Sequence, residues 1–273
     1  MKESAVQHVA LSEFTYDPDY FAPLFAVEDR HFWFRARNRI LAALFEQLTA
    51  GLPDGYSVLE VGCGTGNVLR VLERVCTRGQ VVGMDLFRKG LSYASLRVKT
   101  PLVQGDMHCP PFGKPFEMIG LFDVLEHLPN DVQVLRDLRQ MLCDDGRLVL
   151  TVPAHMSLWS YFDAASHHVQ RYELHELQER LLQAGFEVEY LTPYMAGIFP
   201  IVWLGRRATM LLSRGHTQDE QEVHRLTEKE LQITPLVNPL LEWVCTWDIQ
   251  PILKRRMIPF GTSLLAIARK RAS

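Results

Sequence analysis

Apolar runs alternate with amphipathic stretches along most of the chain, on the length scale of strand–helix units. Val58-Leu59-Glu60-Val61 is almost unbroken apolar sequence with β-branched side chains, which predicts a buried strand. Glycines 62, 64 and 66 follow, and a helix is predicted over 67–75. Further strands are predicted at 80–86, 100–104, 116–122 and 147–153, with helices at 89–97 and 131–142 between them. In the last of these helices Val132, Val134, Leu135, Leu138, Met141 and Leu142 recur at helical spacing, and Asp144-Asp145-Gly146 stops it. A helix over 173–184 leads to an alternating strand at 185–191, and one more strand is predicted at 262–269. Such β–α alternation argues for a mainly parallel sheet with helices on both faces.

Two regions depart from this rhythm. Residues 1–26 read as irregular, rich in aromatics, with Asp17-Pro18 as a turn. The segment Glu28-Asp29-Arg30-His31-Phe32-Trp33-Phe34-Arg35-Ala36-Arg37-Asn38-Arg39 then interleaves arginines with aromatics and runs into a helix predicted at 40–48. The second departure lies between the strands at 185–191 and 262–269. A connection that long must carry structure of its own. It holds two apolar segments, 194–207 and 239–256, each with Trp and each trailing Arg or Lys, on either side of a polar stretch at 213–230.

Composition narrows the class without deciding it. The 273 residues are 47% hydrophobic and 22% charged, as expected for a globular chain with a core. A net charge of -3 gives no global case for nucleic-acid binding. The five cysteines are scattered and odd in number, without C-x-x-C pairs. They predict reduced thiols in a cytoplasmic setting and argue against a zinc site or disulfide framework. The first residues lack the apolar core of a secretion signal, and no uninterrupted apolar run is long enough to span a bilayer.

The chemistry concentrates where the first strand ends. A strand, a glycine turn and a helix N-terminus form a nucleotide-type crevice at the carboxyl end of a parallel sheet. Dinucleotide enzymes favour G-x-G-x-x-G, whose amides hold a pyrophosphate. Here the spacing is G-x-G-x-G at Gly62, Gly64 and Gly66, with Glu60 two residues ahead. A carboxylate at that turn repels a pyrophosphate and suits a cationic or amine-bearing ligand. Asp85 ends the second strand, where an acid reaches ribose hydroxyls in such folds. Leu86 offers an apolar face to a base, and Asp106 ends the third strand.

The stretch Glu60-Val61-Gly62-Cys63-Gly64-Thr65-Gly66 resembles motif I of the class I S-adenosylmethionine (SAM) methyltransferases, and Asp123-Val124-Leu125-Glu126-His127-Leu128 resembles their motif IV. The segment around His31 to Arg37 is similar to an H-[FW]-W-F-x-x-R leader found in a bacterial subset of that family. The resemblance covers about residues 28–192 and the final strand. It implies a Rossmann-like doubly wound α/β sheet of seven strands, the last antiparallel. It also implies SAM as cofactor, with Trp33 packing near it, Arg37 facing its methionyl carboxylate and Asp106 facing the adenine amine. Met107 and Phe122 complete the implied cofactor set of Trp33, Arg37, Glu60, Gly62, Gly64, Gly66, Asp85, Leu86 and Asp106. Asp123 is expected at the mouth of the transfer channel, with His127 as a candidate base or a helix cap. Some relatives use an E-H pair such as Glu126-His127 as metal ligands, so a metal-assisted reaction stays open, although no metal ligand is assigned.

The loop after the fifth strand holds His155, Asp163, His167, His168 and Arg171 among aromatics, and loops at strand carboxyl ends carry chemistry. His168 and Asp163 are the expected acceptor-side residues, with His155 and His167 behind them. N-P-P-Y is absent after the fourth strand, which disfavours planar amines of bases and glutamine. The histidines favour an oxygen acceptor, on a small molecule, glycan or lipid-linked compound. The expected organisation is an N-terminal lid and helix (1–50), a SAM-binding core (51–192), a helical insertion (193–258) and the final strand (259–273). The insertion reads as a substrate cap, a homodimer interface or a peripheral membrane contact. A SAM-binding protein without transferase activity is the competing class.

Overall fold

The computed structural model describes residues 17–212, 233–235 and 237–271. The polar stretch at 213–230 lies outside the described residues. The described chain begins with a single helical turn at Pro18–Tyr20 and then α1 (Phe21–Val27) and α2 (Phe32–Thr49). The core runs β1 (Ser57–Val61), α3 (Leu69–Val75), β2 (Gln80–Asp85), α4 (Arg88–Ala94), β3 (Leu102–Gln104) and β4 (Phe116–Phe122). It continues through α5 (Asp131–Met141), β5 (Leu142–Pro153), α6 (Tyr161–Ala165), α7 (Leu174–Gln183) and β6 (Phe186–Tyr194). Then come α8 (Phe199–Leu212), α9 (Val237–Cys245), α10 (Ile249–Leu253) and β7 (Ser263–Lys270).

The seven strands form one sheet in the order β3-β2-β1-β4-β5-β7-β6. The pairings among β1 to β5 are parallel, while β7 is antiparallel to both β5 and β6. Strand order reverses between β1 and β4, which opens a crevice at their carboxyl ends. Alternation along the strands separates two cores. Val58 and Met118 face α2 and α3, in a core shared with Cys245 and Ile252. Leu59, Val61, Ile119 and Leu121 face the opposite side, where Leu135, Leu138, Leu177 and Leu181 of α5 and α7 cover them.

Several expectations are corrected. The segment after Asp17 is helical rather than irregular, with Pro18 in the first helical position and the Asp17 side chain accepting from the Asp19 N–H. The arginine–aromatic leader does not precede a helix but opens one: the His31 side chain accepts from the Trp33 N–H at 3.3 Å, capping α2 eight residues before the start expected at 40. Strand β5 starts at Leu142, which pairs with Phe116 through a bulge, so Asp144-Asp145-Gly146 lies within the strand segment.

The insertion is tied to the leader. The Asn238 side chain accepts from the Phe32 N–H and donates to the Arg30 carbonyl, each at 2.8 Å. Glu242 of α9 pairs with Arg35 at 2.7 Å and Arg39 at 3.0 Å. Gly197, just before α8, sits so close to α9 that a side chain there would collide with Val244.

Candidate active site

The crevice at the β1/β4 switch has a volume of about 550 Å³. Its floor is the glycine turn. Gly62, Gly64 and Gly66 take φ of 69°, 50° and 76°, where a side chain is strained. Space forbids a side chain as well. A Cβ on Gly62 would meet Val124 at 2.6 Å, and one on Gly66 would meet the Ala94 backbone at 3.0 Å. The turn therefore presents bare main chain to the cavity.

Acids ring this floor. Glu60 is only 3% exposed, yet it lines the crevice and its Oε2 has no hydrogen-bond partner among the described residues. Burial pushes its carboxyl well above the usual carboxylate range; Arg37 opposes this, while Asp85 and Glu28 add to it. Asp85 accepts from the Gly64 N–H at 2.7 Å and the Phe87 N–H at 2.8 Å. Burial still pushes its pKa up to about 6 against those two bonds. Leu86, Asp106, Met107 and Phe122 also line the cavity.

The leader closes the crevice from above. Trp33 and Arg37 both line it, with the guanidinium 5.1 Å from the Trp33 ring centre. Arg37 donates to Asp123 Oδ2 at 2.6 Å and to Asn67 Oδ1 at 3.2 Å, and its Nε has no hydrogen-bond partner among the described residues. Burial, the largest influence, works to lower the Arg37 pKa, but Asp123, Tyr194 and Glu28 together outweigh it and the net shift is upward. The guanidinium fork expected to face a ligand carboxylate is thus partly engaged by the protein. Asp123 itself sits at φ 55°, strained for a non-glycine residue, with the Thr151 hydroxyl donating to its other oxygen at 3.1 Å. Glu28 anchors the leader to the core through Arg97 and Thr65, and Asp29 holds Arg70 at 2.8 Å. The sequence reading missed Asn67, Glu28 and Arg97; their only signal was the pair of acids opening the leader.

On the acceptor side, Glu126, His127 and His168 line the same crevice. The His127 and His168 rings meet edge to face at 4.7 Å between centres. Burial, then the neighbouring His168, lowers the His127 pKa to about 3, so this imidazole is neutral at physiological pH. It falls in a single helical turn at Leu125–His127, ahead of Asn130, the residue that precedes α5. His168 Nδ1 lies 2.9 Å from Asp163 Oδ1. Asp163 does not reach the crevice wall, which corrects the expectation that it faces the acceptor. It is fully buried behind His168, accepts from Ser160 to cap α6, and accepts from Arg171 Nε at 2.7 Å. Burial would raise its pKa, but the His168 bond and the Arg171 charge pull it down to about 2. His155 bonds Glu173 at 2.8 Å, outside the cavity lining, and His167 also lies off it. Ile198, Val202 and Arg206 reach the cavity from the start of the insertion.

The fold and the site define a doubly wound sheet with an acid-ringed glycine turn at its switch point. A family model described as a methyltransferase domain matches residues 28–191, and the chain belongs to that family. It is similar to the methyltransferase GfsG of Streptomyces halstedii, 30% identical over 123 residues, covering 42% of this chain and 43% of that protein. It is also similar to the demethylmenaquinone methyltransferase of Thermotoga maritima, 34% identical over 95 residues, covering 34% of this chain and 42% of that one. The chain thus spans less than half the length of these curated relatives. Among solved structures it shares its fold with the plantazolicin methyltransferase BpumL in complex with SAH (TM-score 0.59, 14% identity, 94% and 91% of the two chains). The [4+2]-cyclase SpnF shares it too (TM-score 0.51, 17% identity, 85% and 82%), so the fold alone does not fix the reaction.

Proposed function

We propose that the chain binds SAM in the β1/β4 crevice and transfers its methyl group to an oxygen of a small-molecule, glycan or lipid-linked acceptor. The observation that carries this reading is the buried Glu60 carboxylate, one oxygen unpartnered, facing the cavity beside a bare glycine turn. An unpaired buried carboxylate is costly unless a donor or cation meets it. The residues fit SAM in three ways. The glycine turn leaves room for close approach, Asp85 keeps acceptor capacity for ribose hydroxyls, and Leu86, Met107 and Phe122 supply apolar surface near Asp106. A dinucleotide pyrophosphate would instead face Glu60 and be repelled.

SAM, when bound, supplies a methyl group already activated on a positively charged sulfur. The protein's part is then alignment, exclusion of water and handling of the acceptor's proton. Trp33 and Arg37 cover the cofactor side. His168, held by Asp163 acting as a positioning residue, presents Nε2 toward the acceptor side. Its own environment supports a hydroxyl acceptor, since an amine already unprotonated needs no such group.

The insertion supports an apolar acceptor. The start of the insertion lines the crevice through Ile198 and Val202, while Ile201, Leu204, Leu240, Trp243 and Trp247 are exposed. Arg206, Arg207, Lys254, Arg255 and Arg256 follow them in sequence. Apolar side chains with trailing cations favour an anionic lipid surface, from which the acceptor would enter. No helix among the described residues is long and apolar enough to cross a membrane.

The test is methyl transfer from tritiated SAM by the purified chain into fractionated lipid, glycan and small-molecule pools. Label in one pool identifies the acceptor class, and its release as volatile methanol on mild alkaline treatment marks the new bond as a methyl ester rather than an ether. No label in any pool, with SAM binding intact, favours a SAM-binding protein that is not a transferase.

A further inference from the structure

Thr262 carries a buried hydroxyl that the fold leaves unused. The residue is 8% exposed and lines the crevice, and its Oγ1 has no hydrogen-bond partner among the described residues. Burying a hydroxyl without a partner costs stability, so nearly all such groups in native proteins are paired. Valine has a similar shape and carries no such cost. A polar group kept unpaired on a cavity wall points to a partner that arrives with a ligand.

The main chain fixes where this hydroxyl stands. Gly261, just before it, packs so closely that a side chain there would collide with the Tyr194 backbone. The Thr262 carbonyl accepts from the Ala154 N–H at 3.0 Å, and Ser263 pairs with Pro153 at the start of β7. Upstream, the Ile258 N–H donates to Thr192 Oγ1 at 2.8 Å. The approach to β7 is thus pinned to β5 and β6 on both sides of Thr262.

The same contacts put Thr262 in the acceptor half of the crevice. The Ala154 carbonyl accepts from Arg171 Nη1 at 3.0 Å, and Arg171 also holds the Asp163 that orients His168. Thr262, Arg171 and His168 all line the cavity and belong to one hydrogen-bonded edge. Apolar lining surrounds that edge: Pro153 ends β5, and Ile198 and Val202 come from the start of the insertion, where the Phe199 ring lies 5.4 Å from that of Phe260. The cofactor acids Glu60, Asp85 and Asp106 belong to β1, β2 and the end of β3, on the far side of β4 from β7.

We propose that Thr262 is a specificity-determining residue of the acceptor site. Its hydroxyl bonds a second polar atom of the acceptor, a hydroxyl or carbonyl oxygen set in an otherwise apolar body, apart from the oxygen that takes the methyl group. This rests on the methyltransferase reading and narrows its acceptor. A free glycan would press most of its hydroxyls against Pro153, Ile198 and Val202, where they lose water and gain no partner. A plain hydrocarbon alcohol would leave Thr262 unpaired. Discrimination of this kind is strong, because a buried group placed to meet a hydrogen-bonding partner is left unsatisfied by a substrate that lacks one.

The experiment uses the full chain, tritiated SAM and an extract of bacterial cells split into organic-soluble and aqueous fractions. Wild type labels the organic-soluble fraction. Thr262→Val lowers the initial rate of that labelling about 10–100-fold. Its SAM affinity by calorimetry is unchanged, and its melting temperature is unchanged or higher, since a buried unpaired hydroxyl has been removed. Thr262→Ser keeps the hydroxyl and retains most of the rate. A residue that served only the fold would show the reverse: a lower melting temperature, with turnover per folded molecule unchanged. Labelling by Thr262→Val at the wild-type rate, or a lowered melting temperature in that variant, overturns the proposal. Label confined to the aqueous fraction overturns it as well and leaves the methyltransferase reading standing. A wild type that binds SAM and labels neither fraction removes the methyltransferase reading, and this inference with it.

Discussion

The Arg37 guanidinium donates to Asp123 Oδ2 across 2.6 Å, with the two side chains only 7% and 18% exposed. The bond joins α2 to the strained turn that ends β4, so the leader and the acceptor-side loop are set by one ion pair. Removing one partner leaves a buried charge unpaired. Arg37→Ala should therefore lower stability by about 3–5 kcal/mol and weaken SAM binding. Arg37→Lys should not restore binding, because an ammonium cannot span both Asp123 and Asn67. Calorimetric SAM titrations and thermal melts check both; unchanged affinity in Arg37→Ala would remove Arg37 from the site.

The raised pKa of Asp85, about 6, sets a pH dependence. Ribose hydroxyls donate to the ionised carboxylate, so bound SAM favours that form. Affinity should rise from pH 5 to about pH 7 and then level, with a proton released on binding near pH 6. Glu60 contributes in the same direction, because its carboxyl is also raised and the ligand's cationic groups favour ionisation. Titrations in buffers of different ionisation enthalpy measure the proton, and Asp85→Asn should flatten the rise. For folding the sign is opposite. A carboxyl raised in the folded state makes its contribution at low pH and loses it as pH climbs through about 6.

Gly66 is held at φ 76° against the Ala94 backbone. Gly66→Ala adds both strain and a main-chain collision, and should cost about 1–3 kcal/mol. Gly113, with open space around it, is the control. Equal melting temperatures for the two alanine variants would contradict the turn geometry.

His168 lies on the acceptor wall, apart from Glu60 and Asp85. His168→Ala should lower turnover about 100-fold or more with SAM affinity intact. Equal loss of both would assign His168 a purely structural role.

Exposed Trp243 and Trp247, whose rings meet edge to face at 4.7 Å, test the outer face of the insertion. The purified chain should float with vesicles rich in phosphatidylglycerol and not with neutral ones. Trp243→Ala with Trp247→Ala should reduce flotation several-fold. No flotation on anionic vesicles would return the insertion to the role of cap or dimer surface.

The sheet was legible because each strand shows its own period and each turn its own glycine or proline. The acids at the ends of β1, β2 and β3 could be read together, since topology places strand carboxyl ends along one edge. The helix that begins at Phe32 was not legible. Its first turn is aromatic and cationic all round, and the cap is a histidine, an uncommon choice. The grouping of Glu126 with His168 was hidden for another reason. It depends on a left-handed residue, Asp123, and on the α6 capping box, in which the N-cap Ser160 donates to the same Asp163 that orients His168. No local pattern encodes a contact made through two intervening elements. Neither does sequence reveal that Asn238 and Glu242 fasten the insertion to the leader.

The central claim is that an acid-ringed glycine turn receives a cationic adenosyl ligand. Isothermal titration of the purified chain with SAM, SAH and NAD+ measures it directly. The account predicts saturable one-site binding of SAM, competition by SAH, and at least tenfold weaker SAM binding in Glu60→Gln. Absence of SAM binding at millimolar concentration, or tighter binding of NAD+, would contradict it.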